Sequence, residues 1–109
     1  MKNSAVEYAL DILTGKWQLH ILWVLCNEKV IRFNQIKKKL PGISNNALAK
    51  CLRALEENNI VQRTQYNEVP PRVEYSLTRL GKSVQPALML LADWGEKIKD
   101  SKEPTNTSN

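Results

Sequence analysis

Seven basic residues, Lys29, Arg32, Lys37, Lys38, Lys39, Lys50 and Arg53, lie between positions 29 and 55, and no carboxylate lies among them. A cation set of that density suits a polyanion, and phosphate contacts made through it weaken steeply as salt rises. In the same stretch Ser44, Asn45 and Asn46 stand just ahead of an apolar-periodic run. The free N–H groups of a helix start suit a phosphate. An Asn amide can pair bidentately with adenine, Ala49 can meet a thymine methyl, and Lys50 and Arg53 suit a guanine edge or a phosphate. Arg72, next to Pro70 and Pro71, is a candidate for a minor-groove contact. The chemistry these types and spacings favour is recognition of double-stranded DNA.

Catalytic chemistry finds little to work with. His20 is the single histidine, and Cys26 and Cys51 are the two cysteines. There is no Gly-rich phosphate loop, no metal-ligand pair at helical spacing and no nucleophile elbow. No catalytic residue, metal site or cofactor is expected. Both cysteines sit inside apolar helical patterns and read as buried, reduced thiols. His20 reads as an ordinary, partly buried residue. Trp17, Trp23 and Trp94 read as packing residues of the core or of an interface.

The elements that must position the basic residues can be read from apolar spacing. A chain of 109 residues with 42% hydrophobic residues and net charge +5 is enough for one domain, expected over 1–100, followed by a polar tail at 101–109. A first helix is expected over 5–13 and a central core helix over 16–27, with Gly15 between them. A linker at 30–33 leaves room for one strand pairing. A third helix is expected over 34–40, and Pro41-Gly42 then breaks the chain. Ser44 suits an N-cap for a fourth helix over 45–58, with Leu48, Cys51, Leu52 and Leu55 facing inward. Asn58-Asn59 suits a left-handed helix end. Two strands follow at 60–66 and 72–77, joined by a stiff, proline-containing tip. Thr78 can cap a last helix over 79–99, which Pro86 should kink or restart.

Helix, helix, helix, tight turn, helix, hairpin, helix is the order of a winged helix-turn-helix, a mainly α fold with a small β-hairpin. The first helix is apolar over most of its circumference, and 87–92 is an unbroken apolar run. Helices apolar all round need cover on two sides. One domain this small cannot supply that cover, so a homodimer is expected through the N- and C-terminal helices, with Val6, Leu10, Leu88, Leu91, Trp94 and Ile98 at the interface. The longest apolar run among the remaining helices, 21–26, is far short of the ~20 residues that cross a bilayer. No signal peptide is visible, so a cytoplasmic protein without membrane contact is expected. An alternative within the same fold is an adaptor whose basic face meets an acidic protein partner.

Several motifs make the chain similar to a known family. Leu13-Thr14-Gly15-Lys16-Trp17 with Ile21-Leu22, Arg32-Phe33-Asn34-Gln35-Ile36 and Leu40-Pro41-Gly42-Ile43-Ser44 resemble successive signatures of the HxlR-type, MarR-like bacterial transcription regulators. The run Val69-Pro70-Pro71-Arg72-Val73-Glu74-Tyr75-Ser76-Leu77-Thr78, with Gly81 three residues on, is the most specific of them, and Trp94-Gly95 closes the pattern. The resemblance spans about 6–95. It implies a dimeric winged-helix regulator that binds near-palindromic operators and represses or activates genes, in several members in response to a small molecule or stress signal. It also implies a sensor cysteine just before the first helix. The matching stretch here is Ser4-Ala5-Val6-Glu7, and a serine brings no thiolate to that position.

Overall fold

The computed structural model describes residues 4–102. The elements run α1 (Ala5–Leu13), α2 (Gln18–Cys26), β1 (Ile31–Arg32), α3 (Phe33–Lys39), α4 (Asn45–Glu57), β2 (Val61–Tyr66), β3 (Arg72–Leu77), α5 (Arg79–Lys82) and α6 (Gln85–Lys102). Helix starts follow the hydroxyl residues, because the first N–H groups of a helix lack partners within it. Ser4 Oγ accepts from the Glu7 N–H at 3.3 Å, Ser44 Oγ from Ala47 at 3.0 Å and Thr78 Oγ1 from Gly81 at 3.0 Å.

The turn before α4 and the exit from it fix its axis. Gly42 takes φ +96°, a conformation that side-chain-bearing residues adopt rarely, and lets the chain reverse after Leu40. At the other end Asn59 takes φ 61°. The Ile60 N–H then reaches back to the Leu55 carbonyl at 2.9 Å and the Asn59 N–H to Glu56 at 3.0 Å, which is a Schellman closure. The expected left-handed end therefore forms at the second asparagine.

The hairpin is joined by a third strand at the linker where the sequence left room for one pairing. β3 is central, in the order β1-β3-β2, and both pairings are antiparallel. Ile31 lies opposite Tyr75, Arg32 opposite Glu74, and Val61 opposite Leu77. The linker at 30–33 thus supplies a two-residue edge strand. Its pairing places α3 beside the wing. The wing's tip is 67–71, with a cis peptide between Val69 and Pro70.

The core gathers Ile21, Leu22 and Leu25 of α2, Ile36 of α3, Leu48, Leu52 and Leu55 of α4, and Val61, Tyr75 and Leu77 of the sheet. Burying each such aliphatic side chain is worth about 1.5–3 kcal/mol. Among the described residues no polar or charged residue is fully buried. The last helix restarts around Pro86, one of the two outcomes expected: α5 ends at Lys82 and α6 begins at Gln85, with Pro86 in the first turn, where its missing N–H costs nothing. Several expectations are corrected here. Ser101 and Lys102 continue α6, whereas 103–109 lie outside the described residues. Cys26 and Cys51 are half-buried, because each lies at the edge of its helix's inward stripe. His20 is exposed, set edge-on to Trp17 at 5.6 Å.

Gly81 carries a constraint of its own. A Cβ there would overlap the Ile60 carbonyl oxygen, a backbone atom that cannot swing away. Gly81→Ala should therefore cost about 1–3 kcal/mol by overpacking, read as a lowered thermal midpoint. An unchanged midpoint would show that this approach is looser than described.

Candidate nucleic-acid interface

α4 divides cleanly between two environments. Leu48, Leu52 and Leu55 are buried, whereas Asn45, Asn46, Lys50 and Arg53 are exposed and Ala49 is half-buried. Positions 45, 49 and 53, and 46, 50 and 53, recur at helical spacing, so these five residues share one outward face. Ser44 spends its oxygen on the Ala47 N–H, which leaves the Asn45 and Asn46 N–H groups at the exposed helix start. At ~20 Å for thirteen residues, α4 is long enough to lie along a major groove.

The lysine run sits in the last turn of α3. Lys38 and Lys39 are exposed and Lys37 is half-buried. Lys39 Nζ lies 3.6 Å from Glu28 Oε2, an exposed pair of small energetic weight. Arg32 is exposed at the start of α3, and its own backbone N–H is held by Gln35 Oε1 at 2.9 Å. α3 and α4 thus bring Arg32, Lys37, Lys38, Lys39, Lys50 and Arg53 onto one helix-turn-helix unit.

Arg72 is placed differently. Its Nη2 lies 3.3 Å from Glu68 and its Nε 3.5 Å from Glu74, while its guanidinium carbon sits 4.2 Å from the centre of the Tyr66 ring. The Nε–H is buried without an aligned acceptor, so the Glu74 contact is coulombic. Sequence reasoning named Arg72 but missed its two carboxylate partners. The i,i+4 spacing of Glu68 and Arg72 and the i,i+2 spacing of Arg72 and Glu74 on one strand face were the available signal.

Of the expected interface residues, Val6, Leu10, Leu91, Trp94 and Ile98 are exposed on α1 and α6, with Trp94 at 61%. Leu88 is only 4% exposed and belongs to the core, because it lies on the side of α6 that meets α2. Met89, Leu90, Tyr8 and Leu80 are also exposed and were not named from sequence. Among the described residues no helix is long and apolar enough to cross a membrane, and no group of three side chains could hold a metal ion.

A capped helix with one buried and one polar face, preceded by a short helix and a glycine turn and followed by a β-wing, defines a winged helix-turn-helix protein. Residues 12–103 match the HxlR-like helix-turn-helix family, and the chain belongs to it. It is 44% identical over 99 residues to the HTH-type transcriptional regulator YdeP of Bacillus subtilis, covering 91% of this chain and 77% of that one. The redox regulator HypR in its reduced form superposes with a TM-score of 0.85 at 38% identity, covering 93% of this chain and 99% of HypR. The reduced transcriptional regulator YodB from B. subtilis gives a TM-score of 0.77 at 33% identity, covering 89% and 94%. The fold and the class of DNA-binding transcription regulator follow from this membership.

The surroundings of the two thiols bear on how readily they ionise. Burial pushes the Cys26 thiol up from its ordinary pKa. Burial does the same at Cys51, against a smaller lowering by the Lys50 charge. Raised pKa values leave less thiolate at neutral pH, and the thiolate is the nucleophile. Iodoacetamide at pH 7 should therefore alkylate both cysteines more slowly than a free model thiol, with the rate rising through alkaline pH. Alkylation at or above the model rate would contradict that assignment.

Proposed function

We propose that this protein is a cytoplasmic, homodimeric transcription regulator whose α4 helices enter successive major grooves of a near-palindromic operator. The observation that carries this reading is the outward face of α4, polar and basic, on a helix locked by its buried leucines. Asn45, Asn46 and Ala49 meet base edges, Lys50 and Arg53 meet a guanine edge or a phosphate, and Arg32 with Lys37, Lys38 and Lys39 hold the backbone. Ser44 acts by capping the helix and aligning its first N–H groups.

Dimerisation is supported by the unpartnered apolar surface. Val6 and Leu10 on α1 and Leu91, Trp94 and Ile98 on α6 form exposed apolar ground of a kind that a soluble chain buries against something. A second copy offers a matching surface by symmetry. It would also set the two α4 helices about 34 Å apart, one turn of DNA. HypR is described as a redox regulator. In this chain Ser4 caps α1 through its hydroxyl and supplies no thiol, so no thiol switch is assigned to that position.

A gel-shift titration with DNA upstream of the protein's own gene, against unrelated competitor DNA, tests the reading. A specific, salt-sensitive shift at two chains per site is expected. Absence of binding to either DNA at low salt would sink it and favour the adaptor that meets an acidic protein. Arg53→Ala should weaken operator binding by about 1–3 kcal/mol while leaving the thermal midpoint in place. Leu91→Glu should yield monomers in sedimentation, and a dimer unaffected by it would move the interface elsewhere.

A further inference from the structure

The tip of the wing has few backbone means of holding its shape. Pro70 and Pro71 have no N–H to donate. The Glu68 N–H closes on the Tyr66 carbonyl at 2.9 Å, and Val69 beyond it is fully exposed. Arg72 supplies what the backbone lacks. One guanidinium touches the loop through Glu68, its own strand through Glu74, and the opposite strand through Tyr66, which is its register partner. Its side chain is 30% exposed and that of Glu74 20%. A lysine ammonium can also sit over a ring, but it is a compact point charge, whereas the planar, delocalised guanidinium can lie against an aromatic face and meet carboxylates on two sides at once.

Charge balance argues in the same direction. Residues 61–77 carry Arg63 and Arg72 against Glu68 and Glu74, a net charge of zero. Were Arg72 to swing out to a phosphate, Glu68 and Glu74 would be left uncompensated beside a polyanion. Like charges set side by side repel, so two unpaired carboxylates next to phosphates oppose that arrangement.

Building on the DNA-binding reading above, we propose that Arg72 is a positioning residue. Glu68, Glu74 and Tyr66 hold its guanidinium as an internal brace. The wing meets DNA through its uncharged apolar tip at 69–71, not through Arg72. The brace fixes where that tip stands relative to α4, and so which stretch of the neighbouring groove it touches. This differs from the sequence expectation that Arg72 itself reads the minor groove.

Two measurements on the full chain test the brace. The first needs no DNA: amide hydrogen exchange across 61–77 should speed up in Arg72→Met and in Glu68→Gln. Unchanged exchange in both would overturn the proposal, whatever the protein binds. The second is the slope of log affinity against log salt for operator DNA. A lost phosphate contact lowers that slope by about 0.9 per chain. Arg72→Met should lower affinity several-fold with the slope unchanged, and Arg72→Lys should fail to restore it, since lysine keeps the charge but not the planar guanidinium that bridges Glu68, Glu74 and Tyr66. A slope reduced by about 0.9 per chain in Arg72→Met, restored by Arg72→Lys, would make Arg72 a phosphate contact and overturn the brace. If the wild-type chain binds no DNA at all, the functional reading fails while the exchange experiment still decides the brace.

Discussion

Burial of Leu48, Leu52 and Leu55 is the constraint on which the rest of the molecule turns. These three residues lie at 0–2% exposure among Ile21, Leu22, Leu25 and Ile36. A helix has only one orientation about its own axis that buries such a stripe, so burial sets where the opposite face points. The five outward residues of α4 need make no contact with the rest of the protein to be held in place. Their side chains are free to be chosen for what they touch outside. Stability and recognition thus share one helix with little competition between them.

The same economy fails at the two ends of the chain. α1 has no fully buried residue and α6 has one, Leu88. Both helices nevertheless carry large apolar side chains. α6 alone has eighteen residues, a length of about 27 Å. Such helices are poorly supported by a single copy. Their exposed apolar side chains are the surface on which the proposed dimer rests.

Much of this architecture is legible in the sequence because local signals agree with tertiary ones. Ser44, Thr78 and Asn59 mark helix ends through hydrogen bonds or backbone angles that those residue types favour, and all three do so here. The outward face of α4 follows from spacing alone. What the sequence left open depended mostly on tertiary placement. The edge strand Ile31–Arg32 is too short to show any period, and only its pairing with Tyr75 and Glu74 makes it a strand. Leu88 looks like its neighbours in an apolar run, and only the position of α2 selects it for the core. The carboxylates around Arg72 are a matter of side-chain direction on a twisted hairpin, which charge counting along the chain does not resolve.

The knot around Thr78 has a mechanical consequence. Thr78 donates its N–H to the Ile60 carbonyl at 3.0 Å and its hydroxyl to the Asn59 carbonyl at 2.7 Å, while Gly81 lets α5 press against the same Ile60 backbone. The exit of α4 and the root of the outer helices are therefore pinned at one joint. A torque applied to α5 and α6 is delivered to α4 at its C-terminal end, where the lever arm to Asn45 and Asn46 is longest. Small rotations at the joint become the largest displacements at the exposed start of α4.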